Sequence, residues 1–150
     1  MKKLRLKKLN LNHKKILFKW YNLKTVLKNS LKGKKFTSSE HDKWFSKQLV
    51  SQNIIKVMYI NETPIGVIRL EKNKSFYLLS YMVAPKYRRK GFAFKAIKQI
   101  ISSFKVKKNK KIVAIVKKNN IPSVTIFNKL KFKQINLVKK DKLLRFEYKL

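Results

Sequence analysis

The feature that most constrains this chain is the stretch over residues 83–93, where an apolar strand leads through a basic turn into a helix. Pro85 lacks a backbone donor and so ends the strand, and Gly91, one of only three glycines, allows a tight turn into the helix. The first amides of a helix have no partner within it, and the helix dipole is positive there. With basic residues at 88–90 beside these amides, the pattern predicts a phosphate-binding turn.

Two motifs define this turn and the segment after it. Neither G-x-G-x-x-G nor the Walker loop G-x-x-x-x-G-K-[ST] occurs, but residues 88–93 match R-x-x-G-x-A after Val83-x-Pro85. Residues 120–132 read N-I-P-S-V-T-I-F-N-K-L-K-F. The first motif resembles the acetyl-coenzyme A signature R/Q-x-x-G-x-G/A of the GNAT superfamily of N-acetyltransferases. The second resembles the N-x-x-[AS]-x-x-x-[YF]-x-K-x-G-F helix of the same superfamily.

Hydrophobic periodicity and turn residues predict an order of elements that agrees with this resemblance. The predicted strands cover residues 4–9, 54–60, 65–70, 75–83, 111–116, 135–138 and 143–150, and the predicted helices cover 16–28, 38–50, 90–104 and 122–130. Ser38-Ser39-Glu40 is typical of a helix N-cap. The resemblance implies an α/β (α+β) fold with a mixed, mostly antiparallel sheet of six to seven strands and about four helices. It also implies a bulge in the fourth strand and a V-shaped splay between the fourth and fifth strands.

Lysine dominates the charge of the chain. The formal net charge is +34, and of 40 basic residues only five are arginine. Arginine is expected where phosphates or bases are recognised by paired hydrogen bonds, whereas lysines spread over nearly every segment are typical of an A/T-rich genome. We therefore expect no specific nucleic-acid site, although the charge will attract anionic substrates and acidic partners.

The length of the chain and the spacing of its apolar residues indicate how many domains it has and whether it can span a membrane. A chain of 150 residues predicts one domain over residues 1–150. Its longest apolar runs are about six residues, too short to span a membrane. The basic start lacks the apolar run of a signal peptide, and there is no cysteine. These features predict a cytoplasmic location.

The resemblance implies that acetyl-coenzyme A is the co-substrate and that no metal takes part. Met82 and Val83 are expected to offer backbone contacts to the pantetheine arm. Asn120 is expected to contact the same arm, although a loop or cap role is the alternative. The pyrophosphate is expected to bind Arg88, Arg89, Lys90, Gly91, Phe92 and Ala93.

The chain departs from the family pattern where protons are transferred. The tyrosine that often protonates the leaving thiolate is Phe127 here, which cannot donate a proton. Ser123 lies one helical turn earlier, and its hydroxyl is a candidate donor, with packing as the alternative. The glutamate that many relatives carry on the substrate-side strand corresponds to Leu78.

Few side chains remain as candidate bases, because the chain has only six carboxylates and two histidines. Glu40 and His41 begin the second helix, which faces the acceptor site in relatives. The ordinary pKa of histidine, about 6.5, suits a base near neutral pH. Capping of the helix is the competing role for Glu40. Glu71, at a strand end, is a third candidate.

Two short sequence patterns concern the amine that would accept the acetyl group. Trp20-Tyr21-Asn22 and Glu40-His41-x-x-Trp44-Phe45 are similar to W-R-N and E-H-x-x-W-F in bacterial GNAT enzymes acting on UDP-linked 4-amino sugars. The resemblance implies that Trp20, Tyr21 and Trp44 line an acceptor pocket, with core packing as the alternative. A UDP-amino sugar is therefore the first candidate acceptor. The alternative acceptors are another small amine or a protein N-terminus. The alternative to an enzyme is a non-catalytic module that binds coenzyme or nucleic acid.

Overall fold

The computed structural model describes residues 2–104, 110–137 and 142–150. The strands are β1 (Leu4–Lys8), β2 (Ile54–Ile60), β3 (Thr63–Lys72), β4 (Phe76–Val83), β5 (Lys111–Lys117), β6 (Lys133–Asn136) and β7 (Leu143–Lys149). The α-helices are α1 (Lys14–Tyr21), α2 (Lys24–Asn29), α3 (Ser38–Val50), α4 (Phe92–Ser103) and α5 (Ile121–Lys129). Among the described residues, none of these helices is both long and apolar enough to cross a membrane.

The seven strands form one sheet in the order β1-β2-β3-β4-β5-β7-β6. Every neighbouring pair is antiparallel except β4 and β5, which run parallel. The predicted mixed, mostly antiparallel sheet is therefore confirmed. The predicted closing hairpin also forms, with β7 between β5 and β6; Val138 and residues 139–141 of its turn lie outside the described part of the chain.

The single helix predicted over residues 16–28 is wrong, because two helices form there and bring the number of α-helices to five. Leu23 is extended, with φ −64° and ψ 134°, so it separates α1 from α2. The side chain of Asn22 bonds both backbone groups of Phe36, donating to its carbonyl at 3.1 Å and accepting from its N–H at 2.8 Å. These two bonds draw Asn22 toward the loop before α3 and stop the helix.

Two further local predictions are wrong. The N-cap of α3 is Thr37, whose hydroxyl accepts from the Glu40 N–H at 3.1 Å, so Ser38 and Ser39 already lie inside the helix. The expected bulge in β4 is absent from its pairing with β3, which runs without interruption from Gly66 opposite Val83 to Lys72 opposite Tyr77. The register shift in this part of the sheet is between β2 and β3, where Met58 and Tyr59 pair with Gly66 and Pro64 and Ile65 of β3 is the extra residue.

Alternation along the strands places an apolar cluster on each face of the sheet. On one face, α4 and α5 bury Ile97 and Phe127 against β-strand residues such as Leu70. On the other face, α1 and α3 bury Leu17 and Phe45 against a second set. After Gly66, odd-numbered β3 residues face α1 and α3, whereas Ile65 belongs to the cluster under α4 and α5. Odd-numbered β4 residues face α4 and α5.

Gly66 lets β3 and β4 approach closely. A Cβ at this position would lie 2.5 Å from the Met82 carbonyl oxygen and 3.1 Å from Val83 Cα, both backbone atoms that cannot swing away. We expect Gly66→Ala to lower the free energy of unfolding by about 1–3 kcal/mol, as overpacking does. Urea denaturation measures the change, with Ser80→Ala on exposed β4 surface as the control. Equal stability of Gly66→Ala and wild type would contradict this close approach.

Two buried histidines predict that stability falls in mild acid. The Asn10 N–H donates to His13 Nδ1 at 3.0 Å, and His13 Nε2 lies 2.7 Å from the Tyr59 hydroxyl. Burial, then the charge of Lys7, lowers the pKa of His13, and burial lowers the pKa of His41. Since each pKa is lower in the folded state, the unfolded chain binds more protons as pH falls through the ordinary value of 6.5.

The free energy of unfolding is therefore expected to be highest above pH 6.5 and to decrease as pH falls from there toward the lowered folded-state pKa values. Urea titrations between about pH 7.5 and pH 5 measure this slope. His13→Gln should reduce the slope and cost about 1–2 kcal/mol at neutral pH through lost hydrogen bonds. A flat profile for wild type over this window would refute the prediction.

Candidate active site

The parallel pair β4 and β5 opens into a slot. The pairing covers only three positions, from Phe76 opposite Lys111 to Leu78 opposite Val113. Both strands continue beyond it, β4 to Val83 and β5 to Lys117. From residue 79 onward, the edge of β4 on this side offers N–H and C=O groups to which an extended amide chain can bond. The splay predicted between the fourth and fifth strands is present at this place.

The turn after β4 is built to present backbone donors. Arg89 has φ 60° and Gly91 has φ 79°, so two residues of the turn adopt the left-handed conformation. Gly91 is the N-cap of α4, and no side chain bonds the amides of the first turn there. A non-glycine residue in this conformation is typical of a functional turn, and alternating conformations of this kind make concave anion sites. Phe92 and Ala93 begin the helix.

Arg88 connects this turn to the end of the strand. Its Nε donates to the Val83 carbonyl at 2.9 Å, and burial lowers the pKa of its guanidinium, which stays charged at neutral pH. The neighbouring Arg89 and Lys90 are exposed. The three cations therefore lie on one short turn, with the first of them anchored to β4.

The second motif forms the start of α5, on the far side of the slot. Asn120 is the N-cap of this helix, and its side-chain oxygen accepts from the Ser123 N–H at 3.4 Å. A cavity of about 280 Å³ lies between α2 and this helix start. It is lined by Thr25, Lys28, Asn29, Arg88, Asn119, Asn120 and Pro122. The structure thus brings together Arg88 and Asn120, which the sequence placed in separate motifs.

A hydroxyl pair that the sequence analysis missed lies beside the slot. The Tyr81 hydroxyl is 2.6 Å from Ser123 Oγ, and the Tyr81 ring packs edge-on against Phe127, with 6.3 Å between centroids. Burial raises the pKa of Tyr81, while the bond to Ser123 acts in the opposite direction. Alternation along β4 is the sequence signal that could have placed Tyr81 on the face of α4 and α5, whereas its contact with Ser123 depends on tertiary packing.

The candidate bases occupy different environments. His41 is 1% exposed and packs against the rings of Phe18, Phe36, Trp44 and Phe45 at 5.2–5.9 Å. Its Nε2 has no hydrogen-bond partner among the described residues. Glu40 is exposed in the first turn of α3. The two residues are adjacent in sequence, but the His41 side chain lies in the protein interior and the Glu40 side chain lies in solvent.

The three aromatic residues predicted to line the acceptor pocket differ in how far they are buried. Trp20 is 5% exposed and belongs to the core between α1, α3 and the sheet. Tyr21 and Trp44 are partly exposed and meet edge-on, with centroids 5.5 Å apart. Arg69, a residue that the sequence analysis did not select, places its guanidinium 5.6 Å from the centre of the Trp44 ring.

The remaining candidates lie on the strands. Glu71 is exposed near the end of β3, opposite Leu78 on β4. Leu78 is the last β4 residue paired with β5, so it lies at the base of the slot, and Glu71 lies one strand away from it. Within the described ranges, no group of three histidine, aspartate or glutamate side chains is placed to hold a metal ion.

Comparison with known proteins gives the family. Residues 3–133 match the family model described as the acetyltransferase (GNAT) domain. No curated protein sequence matches this chain. Among solved structures, a domain from Methanocaldococcus jannaschii is similar over 100% of both chains, with a TM-score of 0.89 and 17% identity.

Two other similar structures carry coenzyme A. Spermidine N-acetyltransferase from Vibrio cholerae, in complex with CoA and spermine, has a TM-score of 0.84 and 19% identity, covering 97% of this chain and 94% of that one. A ribosomal L7/L12 α-N-protein acetyltransferase in complex with coenzyme A has a TM-score of 0.82 and 11% identity, covering 98% and 94%. The similarities agree with the predicted fold, and the family match covers most of the sequence. The chain belongs to the GNAT acetyltransferase family.

Proposed function

We propose that this protein transfers the acetyl group of acetyl-coenzyme A to a primary amine by direct attack in a ternary complex. The observation that carries the proposal is the three-residue pairing of β4 with β5, which ends next to the basic turn. An open strand edge suits the amide-bearing pantetheine arm, and the turn suits the pyrophosphate at its other end. Acetyl-coenzyme A then supplies the thioester carbon that the amine attacks, and a thiolate leaves.

The roles expected from the sequence fit this arrangement. The amides of residues 91–93 and the cations of residues 88–90 would hold the pyrophosphate. Met82 and Val83 lie on the open part of β4 and would contact the arm through their backbone. Asn120 faces the same cavity as Arg88, so the dual role of helix cap and coenzyme contact is consistent with its position.

Tyr81 and Ser123 together are the proposed proton donor to the thiolate. Phe127 lacks a hydroxyl, but the Tyr81 phenol packs against that ring and bonds Ser123 at 2.6 Å. Because its pKa is raised, Tyr81 is a neutral phenol at physiological pH and holds a proton to give. The electron pair of the broken C–S bond goes to sulfur with this proton. The neutral amine becomes positively charged at nitrogen when it forms the C–N bond, and the proton that this nitrogen then loses returns to the phenol through solvent.

His41 and Glu40 remain the proposed acceptors of the amine proton. The lowered pKa keeps His41 neutral at pH 7, and its Nε2 has no hydrogen-bond partner in the described part of the chain. Because His41 is 1% exposed and the phenylalanine rings around it cannot relay a proton, this role requires a water molecule to enter between them. Glu40 is directly open to solvent and is the alternative, and Glu71 is the third candidate.

A UDP-linked amino sugar is the first acceptor to test. The similar structures act on spermidine or on a ribosomal protein, which keeps small amines and protein N-termini as alternatives. A net charge of +34 opposes a polycation such as spermidine and attracts a diphosphate. A non-catalytic module is less favoured, because the Tyr81 hydroxyl pair supplies the donor that Phe127 lacks. The single domain over residues 1–150 and the cytoplasmic location stay predictions.

The direct test combines binding with turnover. Calorimetry with acetyl-coenzyme A at two salt concentrations is expected to give saturable binding. Thiol release is then followed with UDP-linked 4-amino sugars, polyamines and N-terminal peptides as acceptors. Absence of coenzyme binding at both salt concentrations would overturn the proposal.

Arg89→Gly separates the charge of the turn from its backbone shape. Arg89 has φ 60°, a conformation that costs a non-glycine residue about 1–2 kcal/mol, so this variant should be at least as stable as wild type. It should nevertheless bind coenzyme A about tenfold or more weakly, because a charge-assisted contact is lost. Lys86→Ala, an exposed change of equal charge in the same segment, is the control. Equal affinity in all three proteins would argue against the pyrophosphate role of Arg89.

Tyr81→Phe tests the proton donor. We expect kcat to fall about 100-fold or more while KM for acetyl-coenzyme A stays nearly constant, because the hydroxyl acts after binding. Ser123→Ala should cause a smaller loss. Tyr148→Phe on β7, where the ring packs against Phe132, is the matched control. Unchanged kcat in Tyr81→Phe would assign proton donation to another group or to water.

A further inference from the structure

Among the residues that the structure describes, Arg69 has no anionic partner. On β3 it is opposite Ile55 of β2 and Ser80 of β4, on the face covered by α1 and α3. Its guanidinium lies against Trp44, and its enclosed Nε has no hydrogen-bond partner within residues 2–104, 110–137 and 142–150. A partly buried cation without an anion is unfavourable, so the arrangement is incomplete by itself.

The ion pairs of the chain are made elsewhere. Glu62 pairs with Arg5 and Lys7, and Asp42 pairs with Lys14. In the described ranges of the chain, no ion pair involves Arg69.

Arg145 provides an internal comparison. It lies over a ring, 5.5 Å from the centre of Phe76, much as Arg69 lies over Trp44. Unlike Arg69, however, it has a carboxylate partner, Glu147, at 3.7 Å. The two arginines therefore have similar aromatic surroundings and differ in whether the protein supplies the anion.

Arg69 is reachable from the slot. Its cross-strand neighbour Ser80 is exposed and lies in the part of β4 beyond the pairing with β5. Neighbouring strands are about 4.8 Å apart, so Arg69 is one strand spacing from the open edge. An amine at the slot could therefore carry a second group that extends as far as this guanidinium.

Tyr21 completes the surroundings. Its ring meets Trp44 edge-on, and its phenol lies within the electrostatic influence of Arg69. Burial raises the pKa of Tyr21, and the positive charge of Arg69 acts against that increase. Tyr21 thus keeps a neutral hydroxyl, and the Trp44 ring contacts both the Tyr21 ring and the Arg69 guanidinium.

We propose that Arg69, Tyr21 and Trp44 form an anion-binding subsite that receives a phosphate or carboxylate group carried by the acceptor amine. The inference rests on the proposed acetyl transfer and adds the chemical class of its acceptor. A guanidinium offers paired donors that match the geometry of either oxyanion. The subsite selects amines that bear an anionic group a short distance from the nitrogen, and it disfavours polyamines.

Binding can be followed at Arg69 itself, independently of catalysis. The chain has five arginines, so a ¹⁵N spectrum of arginine Nε–H groups holds at most five signals, assigned by substitution. The probe is inorganic pyrophosphate, added to protein saturated with coenzyme A so that the basic turn is occupied. We expect a saturable shift of the Arg69 signal and little change at Arg145. No shift at Arg69, or equal shifts at both, would overturn the subsite.

This measurement separates the two proposals. If coenzyme A does not bind, the proposed function fails, yet the Arg69 signal can still be titrated with pyrophosphate in the free protein. If coenzyme A binds and acetyl transfer occurs without any response at Arg69, the subsite alone fails.

Kinetics with matched acceptors then tests selectivity. The same 4-amino sugar is offered as its UDP conjugate, as a carboxylate-bearing glycoside and as a neutral methyl glycoside. Arg69→Gln should lower kcat/KM about tenfold or more for the anionic acceptors it recognises and less than about twofold for the neutral one. A larger loss of kcat/KM for the UDP conjugate would identify phosphate as the natural group. A larger loss for the carboxylate-bearing glycoside would identify carboxylate.

Arg145→Gln is the matched control, because it removes an arginine over an aromatic ring that already has a carboxylate partner. It should not change the ratio of kcat/KM between anionic and neutral acceptors. Arg69→Lys, which keeps the charge and loses the paired donors, should give an intermediate ratio and serves if Arg69→Gln does not fold. Equal losses for all acceptors in both Arg69 variants would contradict the subsite.

Discussion

The short pairing of β4 with β5 is the constraint on which the site depends. If the two strands remained paired as far as Val83, the open edge of β4 would be consumed by ladder hydrogen bonds. Gly66 favours the opposite outcome, because its missing Cβ lets the end of β4 come close to β3. Arg88 then bonds the last carbonyl of the strand from the turn side. The divergence of β4 from β5 and the basic turn after β4 are therefore parts of one structural arrangement.

The two faces of the sheet divide the proposed chemistry. Tyr81 points toward α4 and α5, where it meets Ser123, whereas Ser80, next to it on β4, is exposed on the face of Arg69. Because side chains alternate along a strand, one short segment of β4 can bear on proton delivery from one side and on acceptor binding from the other. The thioester in the slot between β4 and β5 would lie between these two environments.

The sequence predicts the elements of this site better than it predicts contacts between them. The order of strands and helices follows from periodicity, and Gly91 with its basic neighbours indicates the turn, because these signals are local. The division of the first helix at Asn22 depends on bonds to Phe36, which is 14 residues away. The meeting of Tyr81 with Ser123, across 42 residues, is also a tertiary contact. Arg69 had no motif around it and became evident only from its surroundings.

The attachment of Asn22 to Phe36 has a consequence for how such a domain can diversify. Both bonds go to the backbone of residue 36, so the position of this loop does not depend on which side chain it carries. The Phe36 ring, meanwhile, contacts Tyr21, His41 and Trp44. Evolution can therefore exchange this one ring for a smaller or a polar group and reshape the proposed acceptor wall, while the proposed coenzyme slot between β4 and β5 is left untouched.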